Sequence, residues 1–187
     1  MREVSMEHQF GRPIVTQEAM NRRIEELGRQ ITEDYAGKDL ILIGVLKGAF
    51  VFFADLVRAI RIPLRVDFLI VTSNSSKSGT VGKVKMLTDL TEDIRGRDVL
   101  LVEDIVDSGQ TAHYLTKVLA KRKPQSIKVC ALLSKPTRRT ISVVVDYVGF
   151  EIGNQYVVGY GLDYRQQYRN LPYLAVLDKV DDRGGEI

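Results

Sequence analysis

Val99-Leu100-Leu101-Val102-Glu103-Asp104-Ile105-Val106-Asp107-Ser108-Gly109-Gln110-Thr111 is the stretch from which the rest of the chain is read. The apolar run Val99 to Val102 suits a strand buried on both faces, as in a parallel sheet. Glu103 and Asp104 follow where that strand is expected to end. Asp107 to Thr111 is then a turn of acidic and small residues that opens a helical pattern. Backbone N–H groups at such a turn and helix start form an anion cradle, so a phosphate belongs there. The acidic pair repels phosphate and must serve hydroxyls or a metal ion. Together these features point to a ligand that carries a phosphate and a diol and is accompanied by a divalent cation.

Outward from this stretch, strands alternate with helices. Thr16 is expected to N-cap a helix whose apolar residues recur at Met20, Ile24, Leu27 and Ile31, with Gly37 ending it. Leu40 to Gly44 reads as a buried strand, left through a turn at Val45 to Gly48. Phe50, Phe53, Val57 and Ile60 mark a second amphipathic helix, stopped before Pro63. Further strands are expected at Leu64 to Val71, Val84 to Leu87, Ile127 to Leu133, Val143 to Val148 and Tyr156 to Gly159. The helix after Thr111 presents Ala112, Leu115, Val118 and Leu119 inward and ends near Lys123-Pro124. This order implies an α/β fold with a mainly parallel sheet flanked by helices. Residues 1–187 form a single domain, with a small cap contributed by the N-terminal segment and about 151–180. Thr72 to Lys83, rich in serine and glycine, is expected to be a mobile lid.

Composition excludes several classes. With 187 residues, 44% hydrophobic and 27% charged, the chain can bury an ordinary globular core. No apolar run approaches the roughly 18 residues of a membrane span, and no basic-then-apolar leader opens the chain, so no membrane partner is expected. Cys130 is the single cysteine, which rules out an intramolecular disulfide and favours the cytoplasm; its apolar neighbours make it a buried hydrophobe. The net charge of +3 is mild. Its only dense cluster, Lys121-Arg122-Lys123, sits at a helix end where cations complement the dipole, so no nucleic-acid partner is expected.

Neither a Walker loop nor a dinucleotide fingerprint is present. An apolar strand, two carboxylates, two spacers and Asp-Ser-Gly-Gln-Thr instead resemble the phosphoribosyl-diphosphate (PRPP) motif of the type I phosphoribosyltransferases. Leu46-Lys47-Gly48, Ser134-Lys135-Pro136, the run Tyr156 to Tyr164 and Tyr168-Arg169-Asn170-Leu171-Pro172 narrow the resemblance to the bacterial-type hypoxanthine/guanine phosphoribosyltransferases. The resemblance implies transfer of 5-phosphoribose from PRPP to N9 of a 6-oxopurine, giving IMP or GMP and pyrophosphate, with Mg2+ as cofactor.

Roles follow residue by residue from that resemblance. Asp107, Ser108, Gly109, Gln110 and Thr111 would hold the 5-phosphate, and Glu103 and Asp104 the ribose hydroxyls, directly or through magnesium. Asp107 would also be the catalytic proton acceptor near N7. Lys47, Gly48 and Arg169 would contact pyrophosphate, with a non-proline cis peptide in the Lys47-Gly48 loop. Tyr156 would stack on the purine, Lys135 would donate to the 6-oxo group, and the Val157 backbone would complete the purine edge. Asp163 joins Glu103 and Asp104 as a metal ligand. A homodimer or homotetramer is the assembly expected.

The chain departs from the family in two places. Ser73-Asn74 stands where the family usually has Ser-Tyr in the lid, and Gly153-Asn154-Gln155-Tyr156 replaces a run with Pro-Asp before a phenylalanine. These departures bear on base preference and efficiency, and xanthine remains open as a substrate. A nucleotide-sensing regulator on the same fold, binding RNA or DNA, is the competing expectation. His8 and His113 lie far apart with no further ligand at metal spacing.

Overall fold

The computed structural model describes residues 13–73 and 84–177. In chain order the elements are β1 (Pro13–Val15), α1 (Gln17–Asp34), β2 (Leu40–Leu46), α2 (Phe50–Ala59), β3 (Arg65–Ser73), β4 (Val84–Thr88), β5 (Asp98–Val106), α3 (Gln110–Ala120), β6 (Ser126–Ser134), β7 (Tyr147–Glu151), β8 (Val157–Val158) and β9 (Leu174–Val176). Six strands form one sheet in the order β4-β3-β2-β5-β6-β7. All its neighbours run parallel except β4, which pairs antiparallel with β3 at the edge. The expected α/β class with a mainly parallel sheet is what forms.

Period-two alternation explains how three central strands supply two cores. Leu40 and Leu42, Leu100 and Val102, and Cys130 and Leu132 face α1 and α2. Ile41 and Ile43, Val99 and Leu101, and Val129 and Ala131 face α3. Each fully buried branched side chain is worth about 1.5–3 kcal/mol relative to exposure. Truncating one in mid-sheet therefore costs more than any single surface ion pair supplies.

Thr16 caps α1, its hydroxyl accepting from the Ala19 N–H at 3.2 Å. Met20, Ile24, Leu27 and Ile31 are buried as the spacing predicts. The helix stops at Asp34, before Gly37, because Tyr35 leaves helical geometry and buries its ring. On α2 the buried residues are Phe52, Phe53 and Leu56, while Phe50 is 45% exposed. The helix is thus rotated from the expected face, burying Phe52 in place of Phe50, while Phe53 keeps its inward place against Phe68 of β3, with ring centroids 4.9 Å apart. On α3, Ala112, Leu115 and Leu119 are buried and Val118 is only half-buried.

Three strand expectations are corrected. β2 continues through Leu46 because Val45 and Leu46 still pair with Leu69 and Ile70. β5 does not end before the acidic pair: Glu103, Ile105 and Val106 remain in register with Ala131, Leu133 and Ser134. The strand expected at Val143 to Val148 is instead Tyr147–Glu151. Val143 and Val145 pack toward the α3 core from an irregular segment, and only Tyr147 onward pairs with β6.

A second, antiparallel sheet has the order β1-β9-β8. Val157 and Leu174 point into the α1/α2 core, while Val158 and Ala175 form a small cluster with Leu171. Tyr160 fixes this cap sideways by donating its hydroxyl to Asp55 of α2. Of the lid expected at 72–83, Thr72 and Ser73 finish β3; Asn74 onward lies outside the described residues. His8 does also.

Candidate active site

The carboxyl ends of β2, β5 and β6 meet the cap around two adjoining cavities. The larger, about 680 Å³, is walled by the ends of β2 and β5, the turn 107–111 and the cap residues Tyr156, Asp163, Gln166 and Arg169. The smaller, about 240 Å³, lies between Ile105, Lys135, Val157 and Leu162. Asp104, Asp107, Tyr156 and Asp163 belong to the walls of both. Ligands of open parallel sheets bind at these strand ends.

The turn is built around Gly109, which N-caps α3 with φ of +88°, a left-handed conformation that favours glycine. The first intrahelical bond at this end joins the His113 N–H to the Gly109 carbonyl at 3.0 Å. The amides of the opening turn therefore point out of the helix without intrahelical acceptors, and no acidic residue stands in that turn to neutralise them.

Glu103 and Asp104, adjacent on β5, point to opposite faces. Glu103 is 4% exposed, and its Oε1 has no hydrogen-bond partner. Burial, reinforced by Asp104, pushes its carboxyl well above the ordinary range. Asp104 is pushed up to about 6, chiefly by burial, against the opposing pull of the Ile105 N–H and Arg169. Its Oδ2 approaches Gly48 so closely that a Cβ there would lie 1.5 Å away. A side chain at Gly48 would have to displace the Asp104 carboxylate, so this loop packs directly on the acidic pair. The peptide Leu46–Lys47 just before it is cis.

On the cap, Arg169 is held from three sides. It pairs with Asp163 Oδ1 at 2.7 Å and donates to the Gly161 carbonyl at 2.7 Å and to Gln166 Oε1 at 3.1 Å. The other Asp163 oxygen accepts from the Gln166 N–H at 2.8 Å. Lys47 reaches the same Gln166 oxygen at 3.5 Å. Tyr156, 44% exposed, donates its hydroxyl to the Asp163 carbonyl at 3.1 Å and lies edge-on to Tyr164. A ring so fixed leaves a face for stacking.

Asp107 is gripped by two cations. Lys135, buried at the end of β6, lies 3.3 Å from Oδ2 and donates to the Gln155 carbonyl at 2.9 Å. Arg138, in the 3-10 turn Pro136–Arg138, binds Oδ1 at 2.9 Å and Asn154 Oδ1 at 2.9 Å. Thus Lys47, Gly48, Asp104, Asp107, Lys135, Tyr156, Val157, Asp163 and Arg169 line one compound site with Ser108 to Thr111. Asn74 lies outside the described residues, and His113 lines neither cavity. The sequence reading missed Arg138 and Gln166, which look like solvated loop residues until their partners are known. It also missed Leu162, whose backbone bonds with Gly159 close the turn beside the smaller cavity.

Among the described residues no three acidic, histidine or cysteine side chains converge to enclose a metal alone. The unpartnered Glu103 oxygen and the Asp104 carboxylate, with Asp163 beside it, nevertheless suit magnesium, which takes one or two carboxylates and completes its shell with water and phosphate oxygens.

The phosphoribosyl transferase domain model matches residues 13–165. Hypoxanthine phosphoribosyltransferase of Salmonella typhimurium is 47% identical over 171 residues, spanning 90% of this chain and 96% of the relative. Hypoxanthine-guanine phosphoribosyltransferase of Mycobacterium avium is 49% identical over 171 residues, 88% and 84% of the two chains. Among solved structures, a hypoxanthine phosphoribosyltransferase from Staphylococcus aureus superposes with a TM-score of 0.89 at 40% identity, covering 95% of this chain and 96% of that one. A glycine-centred turn, a paired acid and two adjoining cavities at the strand ends of one sheet thus coincide with relatives aligned along nearly their whole length, and the chain belongs to the phosphoribosyltransferase family, among the hypoxanthine phosphoribosyltransferases.

Proposed function

We propose that the enzyme transfers 5-phosphoribose from PRPP to N9 of hypoxanthine or guanine, releasing pyrophosphate and IMP or GMP. The observation that carries this reading is the place of Asp107, which belongs to the phosphate turn and also touches Lys135 in the smaller cavity. The relatives' names are those of transferases, which favours chemistry over a nucleic-acid-binding regulator.

The turn and the start of α3 take the 5-phosphate through backbone N–H groups and the Ser108 and Thr111 hydroxyls. Glu103 and Asp104 take the ribose hydroxyls. The base stacks on Tyr156, with Val157 at its edge and Lys135 donating to O6. Adenine would set its amino donor against this lysine, which is the basis of selectivity. As the bond from C1 to pyrophosphate breaks, its electrons leave with pyrophosphate, N9 bonds to C1, and the N7 proton passes to Asp107. Lys47, the Gly48 backbone and Arg169 bind the departing charge. Glu103, Asp104 and Asp163 are the carboxylates that would hold magnesium, and the ion would supply further neutralisation of the diphosphate charge.

The chain acts as one domain, the β1-β9-β8 sheet serving as cap. No described helix is long and apolar enough to cross a membrane. A cytoplasmic homodimer or homotetramer is the state this reading carries; Phe50, Val66 and Phe68, exposed on α2 and β3, offer it an apolar face.

An ultraviolet assay with PRPP and magnesium, offering hypoxanthine, guanine, xanthine and adenine separately, tests the reading. Turnover of hypoxanthine or guanine and none of adenine is expected. No turnover with any base overturns it.

A further inference from the structure

The turn that takes the 5-phosphate has no cationic side chain of its own. It reads Asp107-Ser108-Gly109-Gln110-Thr111, and Glu103 and Asp104 share its cavity. A phosphate dianion there is opposed by acids and met, from the turn itself, only by amides and hydroxyls.

Behind the turn lies residue segment 139–141. Thr140 and Ile141 both donate their N–H groups to the Ser108 carbonyl at 3.1 Å. A Cβ on Gly109 would lie 2.9 Å from the Arg139 Cδ and 2.7 Å from the Ile141 carbonyl oxygen. The Arg139 side chain therefore packs against Gly109, which lines the larger cavity, while Arg139 itself does not. One end of its guanidinium is fixed, Nη2 donating to Ser134 Oγ at 3.0 Å. Its Nη1 is buried with no hydrogen-bond partner. Among the described residues no carboxylate pairs with it, in contrast to its neighbour Arg138, which is bound to Asp107. Arg139 as a whole is half-buried, but leaving its Nη1 shut off from water without an acceptor is costly, and the fold keeps this cation beside the turn's glycine.

We propose that Arg139 is the counter-charge of the 5-phosphate, acting through the Gly109 backbone without touching the ligand. This rests on the phosphoribosyl-transfer reading above. Arg139 is thus a positioning residue for one end of PRPP, whereas Lys47 and Arg169 serve the other. Ser134 holds the guanidinium in place, and the positive charge compensates for the acids that the ribose hydroxyls require.

The test is calorimetric titration of the full-length protein with ribose 5-phosphate and, separately, with magnesium pyrophosphate. R139Q should bind ribose 5-phosphate about tenfold more weakly, the loss of one charge at short range in partly buried surroundings. Its pyrophosphate affinity should stay within about twofold of the parent, since charge effects fall off with distance and screening. R139K, which keeps the charge, should recover ribose 5-phosphate binding to within about threefold. Comparing the two ligands within each variant cancels any inactive fraction. An unchanged ratio in R139Q, or equal loss for both ligands, overturns the proposal. Failure of the parent protein to bind either ligand would instead remove the transferase reading beneath it.

Discussion

The two halves of the proposed site, one for the PRPP donor and one for the acceptor base, are built by different means. The donor half stands on β5, whose Val99 to Val102 are buried between two helix layers and whose ladder to β6 runs unbroken from Asp98 to Glu103. The acceptor half hangs on a cap of two- and three-residue strands joined by turns, with Tyr160, Gln166 and Tyr168 all at positive φ. Sheet geometry places Glu103 and Asp104 without any help from their side chains. Cap geometry leans on side chains as well: the triangle of Asp163, Gln166 and Arg169 and the Tyr160–Asp55 bond reinforce the short β1-β9-β8 ladders. Such a region can change its ligand preferences without disturbing the core, while the donor side tolerates little variation.

The halves meet at Asp107, and substitution there has the largest effect. D107N keeps the shape and loses the base, so kcat should fall by roughly 10²–10⁴. PRPP binding, followed by titration, should remain within about threefold because the turn's amides and hydroxyls are untouched. Near-parental turnover would sink the assignment of Asp107.

A change confined to the cap should act on the base alone. Y156A removes a stacking face worth about 1–3 kcal/mol and should raise KM for hypoxanthine roughly 10- to 100-fold, with KM for PRPP little altered. Y156F loses only the bond to the Asp163 carbonyl and should stay within about fivefold of the parent. Equal shifts in both KM values would show that the halves are not separable.

The smallest effect is on stability and belongs to the donor side. Burial pushes the Asp104 carboxyl up to about 6 from its ordinary 3.8. Between those two values the native state keeps a proton that the unfolded chain has released, so stability declines as pH rises and the full cost is present above about pH 6. In ligand-free protein D104N should therefore melt higher at pH 7.5, by roughly 4 °C, and about equally with the parent at pH 3.5. The Asn side chain can still accept the Ile105 N–H, which Asp104 Oδ1 holds at 2.7 Å. A lower melting temperature at pH 7.5 would show that the Ile105 N–H and Arg169 outweigh burial.

The same division explains what could be read from the chain. The turn and helix start at Asp107 to Thr111 are legible because these residues are consecutive and their amides need no distant partner. Core alternation in β2, β5 and β6 was legible for the same reason. The end of β5 was not: Glu103 looks like a terminator, but pairing with Ala131 keeps it extended, and that partner is far off in sequence. Val143 to Val145 look like a strand because they are β-branched, yet only Val143 and Val145 pack beside α3, and Val144 is exposed. Arg138 and Gln166 carry no local signal, since their meaning lies wholly in Asp107, Asn154, Lys47 and Arg169. The second departure near Tyr156 finds its resolution here: the extra hydroxyl has a carbonyl to donate to.

Cys130 lies at the centre of β6 with no exposed surface, and burial drives its thiol far above the ordinary range. A thiol that can neither ionise nor meet reagent is silent in the native protein. Because it is also the chain's single cysteine, its labelling by a thiol reagent counts openings of the central sheet and nothing else. The protein thus carries its own unfolding clock, wired to the strand beside the catalytic one, and ligand occupancy can be read from how far PRPP slows it.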